Sequence, residues 1–291
     1  MTGLWSNKSE EAKETSSSPV LRYNEGCLVI IDFHTHIFPD ELAPRALAVL
    51  SDIDEPYIPV SDGTASGLLR NMNEWNIDVS VISPVVMKRS QMKKINEWTA
   101  SLSSSRLVCF GGIYPHTNDY KSDIDFVVSL GLKGLKFHAE YQDFFVDDKK
   151  MLGIYDYALS RGLVLLHHAG FDPAFKPPFR SSPQRFARVA EAMRGGVIIA
   201  AHLGGHAQWD DVENYLAGTG IYLDTSMGFE YFPHDQFLRI VEKHGADKIL
   251  FGTDAPWSSA EAEIACLRSL PLPADAVDAI LGGNAARVLG A

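Results

Sequence analysis

Eight short runs rich in Val, Ile and Leu recur from Leu28 onward, each closing on a polar residue or a glycine, and helix-patterned segments lie between them. This alternation restricts the possible folds more than any other feature of the chain. The expected strands are Leu28–Phe33, Val79–Ser83, Leu107–Ile113, Gly134–His138, Leu163–His168, Val197–His202, Ile221–Asp224 and Lys248–Gly252. Helical spacing of apolar residues appears in Thr64–Trp75 (Leu68, Leu69, Met72, Trp75), Met151–Ser160, Ser182–Met193 and Asp235–His244. Helices are expected to stop near Asn76, Gly131, Gly162, Gly195 and Gly245, residue types that accept a left-handed backbone. Strands apolar on both faces and separated by helices predict a parallel sheet. Eight such units over residues 26–291 predict an α/β chain forming a single (β/α)8 TIM-type barrel domain. An open doubly wound sheet is the alternative, but no G-x-G-x-x-G follows the first strand, so a dinucleotide site has no fingerprint here.

In such a barrel, active-site groups come from the C-terminal ends of the strands. Reading those ends gives His34 and His36, Lys136 and His138, His167 or His168, His202, and Asp254, so six of the ten histidines sit where one site would form. His34 and His36 are two residues apart on a strand and therefore share a face, able to reach one metal ion. His167 and His168 face opposite ways, and only one can point into the barrel. Neutral imidazoles with one carboxylate suit a divalent ion that keeps a position open for water and makes hydroxide available near neutral pH. His138 shares the face of Lys136 and is a substrate-contact candidate. Arg180 is the candidate for binding a substrate carboxylate, because guanidinium matches carboxylate in bidentate fashion. Trp257, His206, Phe229 and Tyr231 follow strands and could contact substrate or simply cover the barrel top. Two segments after strands, Phe38–Asp62 and Phe171–Ser182, are rich in proline and are expected to overhang the site.

Net charge of -11 and a pI near 5.3 argue against a nucleic-acid partner. No apolar run approaches a membrane span, and residues 1–25 read as a disordered polar tail without a signal core. Three widely spaced cysteines, Cys27, Cys109 and Cys266, suggest neither a disulfide framework nor a C-x-x-C site, and point to a reducing, cytoplasmic setting.

Taken in order, Ile31-Asp32-Phe33-His34-Thr35-His36, Gly134-Leu135-Lys136-Phe137-His138, Leu166-His167-His168-Ala169-Gly170, Ala201-His202-Leu203-Gly204-Gly205, Phe251-Gly252-Thr253-Asp254-Ala255-Pro256 and Ile280-Leu281-Gly282-Gly283-Asn284 resemble the amidohydrolase superfamily. The resemblance is to its amidohydrolase-related branch, which includes aminocarboxymuconate-semialdehyde decarboxylase. It implies His34, His36, His168 and Asp254 as ligands of one divalent metal, zinc first with manganese as an alternative. It implies His202 as the catalytic histidine that activates metal-bound water, and Asp254 as a proton acceptor or orienting group. In binuclear relatives a lysine at the position of Lys136 is carboxylated and bridges two metals. The branch resembled here is mononuclear, so Lys136 is expected instead to pair with a carboxylate or contact substrate. A homodimer is implied by the resemblance alone. The activity expected first is hydrolysis of an amide, ester or lactone by the activated hydroxide. Non-oxidative decarboxylation of a small unsaturated or aromatic acid is the alternative.

Overall fold

The computed structural model describes residues 28–52 and 57–290, and the expected polar tail lies outside them. Eight parallel strands follow in order: β1 (Ile31–Thr35), β2 (Val79–Ile82), β3 (Leu107–Cys109), β4 (Gly134–Phe137), β5 (Val164–His167), β6 (Ile198–Ala200), β7 (Tyr222–Asp224) and β8 (Ile249–Leu250). Each pairs with its sequence neighbour within β1-β2-β3 and within β4 through β8. Backbone hydrogen bonds close both gaps. At one, Gly111 N–H donates to the Gly134 carbonyl at 2.8 Å and Lys136 N–H to the Gly111 carbonyl at 2.9 Å. At the other, Phe33 N–H donates to the Phe251 carbonyl and Asp254 N–H to the His34 carbonyl, both at 2.8 Å, so β1 meets β8. The ring is a complete (β/α)8 barrel.

The helices are α1 (Ala43–Leu50), α2 (Ala65–Glu74), α3 (Arg89–Ser101), α4 (Tyr120–Ser129), α5 (Lys149–Ser160), α6 (Pro183–Ala192), α7 (Trp209–Asp211), α8 (His234–His244), α9 (Ala260–Ser269), α10 (Ala274–Asp278) and α11 (Asn284–Leu289). The helical periodicities read from sequence fall on α2, α5, α6 and α8 to within two residues at each end. Asn76, Gly131, Gly162, Gly195 and Gly245 all have positive φ, as helix stops of that type require. Strand ends are shorter than expected. His138, His168 and His202 lie just past β4, β5 and β6, because the chain leaves ladder geometry where it begins to build the site. The first strand starts three residues late, since ladder pairing begins only at Ile31 opposite Val79.

Alternation along the strands makes two apolar layers. Leu135, Phe137, Leu165 and Leu223 pack outward against helix residues such as Tyr155, Phe186 and Phe237. Phe33, Val81, Phe110, Leu166, Ile199 and Leu250 form a second cluster that fills the ring. Burial of each large side chain contributes about 1.5–3 kcal/mol. The β1 register shifts between Asp32 and Thr35, an irregularity at the point where the chain delivers its histidines. Among the described residues, no helix is long and apolar enough to cross a membrane.

Candidate metal centre and active-site cavity

His34 Nε2 and His36 Nε2 lie 3.1 Å apart. Asp254 Oδ1 stands 3.2 Å from the first and 3.1 Å from the second. Donors placed about 2.1 Å from an ion at tetrahedral or octahedral angles stand roughly 3.0–3.4 Å apart, so this triangle fits a divalent cation. Strands from opposite ends of the chain supply it, and the β1–β8 seam brings them together. Asp254 adopts φ 62° and His202 φ 57°. Left-handed backbone at two non-glycine residues stores strain where the site is built. Gly252 is required beside them, because a Cβ there would stand 2.9 Å from His34 Cβ.

The partners of each ring fix its tautomer. Asp224 Oδ2 lies 3.0 Å from His34 Nδ1 and can only accept, so Nδ1 carries the proton and the Nε2 lone pair faces the triangle. His202 Nδ1 lies 3.2 Å from the Ser226 carbonyl and 3.0 Å from Ser226 Oγ, which makes it the donor and His202 Nε2 the acceptor. His168 Nδ1, 3.0 Å from His202 Nε2, must then donate, which leaves His168 Nε2 as a bare lone pair. That atom is buried and has no hydrogen-bond partner among the described residues. A buried acceptor without a donor is what a missing cation would leave behind.

Asp224 ties this network together. It accepts from His34 Nδ1–H, from the backbone N–H of His202 and Ser226 (3.0 Å each), and from Ser226 Oγ. Burial works to raise its pKa, but electrostatic attraction and hydrogen bonding to the adjoining His34, with the Ser226 hydroxyl helping, prevail and hold it below the ordinary carboxylate range. Asp254 is likewise depressed, burial being outweighed by His34 and His36. Burial lowers His36 to about 4, with Asp254 opposing, and His202 to about 3. Imidazoles held neutral in this way are in the form that binds metal.

Lys136 is buried, with Nζ 2.6 Å from His34 Nε2, and burial lowers its pKa to about 8 against the pull of Asp254 and Asp224. It is therefore a buried amine paired within the cluster. The choice between the two adjacent histidines also resolves. His167 lies outside the ring, stacked on Phe137 with centroids 4.9 Å apart and packed against Tyr155 and Phe186. His168 enters the site, but it meets His202 rather than the triangle of His34, His36 and Asp254.

His138 Nε2 lies 3.2 Å from Asp172 Oδ2, and its ring stacks on His168 at 4.1 Å and 11°. The donors of His138, His168 and Asp172 are close enough to suggest a second cation. Two parallel rings cannot aim in-plane lone pairs at one ion, however, so this cluster is better described as a stacked wall.

These groups form the floor of a cavity of about 1070 Å³ that His138, Lys136 and Trp257 also line. Its sides are largely apolar, with Phe38, Tyr57, Trp98, Tyr141 and Phe171 set among aliphatic and proline side chains. The two overhanging segments expected from sequence contribute Phe38 and Tyr57, and Phe171 and Asp172, respectively. Tyr57 reaches the His206 ring, with Oη 3.4 Å from Nε2. Arg180 does not join the site. Its Nη2 donates to Asp143 Oδ1 at 2.7 Å and its guanidinium lies over Phe145, because the loop turns it away from the cavity. Sequence reasoning gave Asp224, at the end of the seventh strand, only a structural role, and it passed over Ser226. Ser226 carried no signal, since a lone serine after a strand is unremarkable.

The sequence profile of the amidohydrolase family matches residues 31–291. The chain belongs to the amidohydrolase family. No curated protein matches it. Among solved structures it is similar to a 5-carboxyvanillate decarboxylase of Novosphingobium aromaticivorans complexed with manganese, at 12% identity and a TM-score of 0.69, covering 95% of this chain and 100% of that one. It is similar to the 2,6-dihydroxybenzoate decarboxylase of Rhizobium at 14% identity and a TM-score of 0.64, covering 91% and 99%. A TIM-barrel protein of Bordetella bronchiseptica matches at 19% identity and a TM-score of 0.71, covering 90% and 99%. At these identities the likeness is one of fold. As an amidohydrolase-family member the chain is an enzyme.

Proposed function

We propose that this amidohydrolase is a metal-dependent decarboxylase acting non-oxidatively on a small aromatic or unsaturated carboxylic acid. The observation that carries this reading is the triangle of His34 Nε2, His36 Nε2 and Asp254 Oδ1 at the floor of a deep, aromatic-walled cavity. Flat aromatic walls suit a planar acid. Two of the similar structures are named as decarboxylases of hydroxylated aromatic acids, which favours this reading over the hydrolysis that the motifs alone put first.

His34, His36 and Asp254 would hold the ion, while His168, the fourth ligand expected from sequence, stands beside His202 and would have to turn to join them. A bound divalent cation supplies Lewis acidity that draws in a carboxylate and a neighbouring oxygen, and both zinc and manganese suit the donor set. The chain's own groups do the rest. Asp224 locks His34 in the ligand tautomer, and the aromatic walls keep bulk water off the reacting carbon. Asp254 and His202 belong to the floor and, being unprotonated at rest, would relay a proton taken up from water to the carbon losing its carboxylate. His202 Nε2 is occupied by His168 Nδ1–H in this arrangement, so His202 also sets the orientation of His168.

Hydrolysis of an ester, lactone or amide is the second reading. Its support is the position of Arg180, which removes the guanidinium that a decarboxylase was expected to use on its acid substrate. In either case the substrate is a small molecule, and we place the enzyme in the cytoplasm. The test is carbon dioxide release from hydroxybenzoic acids by protein loaded with zinc or manganese, run beside a panel of esters and lactones. Release that stops on chelation supports the proposal. Turnover of esters or lactones with no carbon dioxide from any acid would replace it with the second reading.

A further inference from the structure

Paired positions on neighbouring parallel strands lie about 4.8 Å apart and turn their side chains the same way. Phe137 of β4 stands opposite His167 of β5, and His168 N–H donates to the Phe137 carbonyl at 3.0 Å. Phe137 and His167 turn outward and stack on each other, so the next pair, His138 and His168, enters the barrel mouth side by side. There the two rings lie parallel, 4.1 Å apart at 11°.

His138 is firmly held. Its Nε2 lies 3.2 Å from Asp172 Oδ2, and the other oxygen of Asp172 accepts from Ala174 N–H at 2.8 Å. The Tyr141 ring meets it edge-on at 4.5 Å, and its backbone N–H donates to Gln142 Oε1 at 2.9 Å. His168 is held less. Its ring makes one hydrogen bond, from Nδ1 to His202 Nε2 at 3.0 Å, and its buried Nε2 has no partner among the described residues. A ring on a single bond could tip. A parallel ring at 4.1 Å leaves no room for tipping, yet it allows a swing within the plane that contains the Nε2 lone pair.

We infer that His138 is a positioning residue for the metal centre: its ring, pinned by Asp172, is the flat guide along which His168 turns from His202 towards the floor without tipping its Nε2 lone pair away. This gives His138 a role other than the substrate contact expected from sequence. It rests on the reading of the floor as a metal centre, and it is independent of whether the reaction is decarboxylation or hydrolysis. Asp172 belongs to the overhanging segment Phe171–Ser182, so His138 also joins that segment to the metal ligand.

The test is cobalt binding to metal-free protein, read by visible absorption, whose bands follow ligand number and geometry, and by competition with a chelator. His138→Leu occupies the space without a flat face, and His138→Phe keeps the face but removes both nitrogens. His138→Leu should weaken cobalt by about 10–100-fold, the range for losing a group that orients a ligand, and should give the bands of His168→Ala. His138→Phe should restore both the affinity and the wild-type bands. Asp172→Ala frees His138 to turn towards Glu140, 3.9 Å from its Nδ1, and should weaken cobalt by a smaller factor. Beside His138→Phe, which has no polar partner to seek, Asp172→Ala should have no further effect. His138→Phe as weak as His138→Leu overturns the inference, because a ring nitrogen of His138 would then be what matters. Wild-type bands in His138→Leu, or wild-type protein whose bands already match His168→Ala, also overturn it. Wild-type protein that takes up no cobalt overturns the metal centre and this inference with it. Cobalt results as expected, with no turnover of any acid or ester, would count against the proposed reaction alone.

Discussion

Thr253 Oγ1 donates to Asp32 Oδ2 at 2.6 Å across the seam where β8 meets β1. The same carboxyl group accepts from the backbone N–H of Thr253 at 3.0 Å and of His34 at 3.3 Å. Asp32 thus fastens the residue before Asp254 to the residue that begins the histidine pair. Asp32→Ala leaves three buried donors without an acceptor, and each costs on the order of 1–3 kcal/mol. We expect a loss of about 3 kcal/mol or more in denaturant unfolding, together with reduced bound metal. Asp32→Asn retains one accepting oxygen and should lose less of both.

Asp254 and His202 should separate by metal content. Asp254→Ala removes one vertex of the donor triangle and should yield protein with little bound zinc or manganese by elemental analysis. His202→Ala should retain most of its metal while turnover falls by roughly 10²–10⁴, the range for loss of a proton-transferring group. Wild-type rates in the His202 variant would remove its catalytic assignment. Loss of metal from that variant would show that His202 acts chiefly by orienting His168.

Gly170 has φ +89°, and a Cβ placed on it would lie 2.3 Å from the His206 backbone nitrogen. Gly170 N–H and Phe171 N–H both pair with neighbouring backbone here, the latter to the His206 carbonyl at 2.9 Å, so the segment has no room to yield. Gly170→Ala should cost about 2–4 kcal/mol and lower the thermal midpoint. It should also disturb the cavity wall at His206, which binding of an aromatic acid would detect.

His244 offers a pH test remote from the metal centre. It is buried at the end of α8, its Nδ1 accepts from Gly218 N–H at 3.1 Å, and burial, aided by Lys248, lowers its pKa to about 4. The folded chain therefore holds it neutral while the unfolded chain protonates near pH 6.5. Its contribution is complete above that value and is lost as pH falls towards 4. Between pH 7 and 5 the loss should be about 1–2 kcal/mol. His244→Gln keeps an acceptor for Gly218 and does not titrate, so subtracting its stability curve from that of the wild type should isolate this slope. Parallel curves would show that His244 does not carry it.

The barrel was legible because its signal is distributed. Eight apolar runs and five helix stops agreed, and no single residue had to be read correctly. His34, His36 and Asp254 were legible for a similar reason, since strand ends in a barrel converge wherever the ring closes. Arg180 was not, because its direction depends on a loop and on Asp143, thirty-seven residues away in sequence. Ser226 was hidden because its importance comes from what it joins, Asp224, His34 and His202, and not from its own type.

The donor triangle straddles the join between the first strand and the last. A nascent chain that has laid down seven strands therefore has most of its scaffold and no seat for a cation. Uptake of the ion would report that the two ends have met, and capture would in turn resist their parting. In this protein the metal would act as a clasp on the finished ring as well as a reagent inside it.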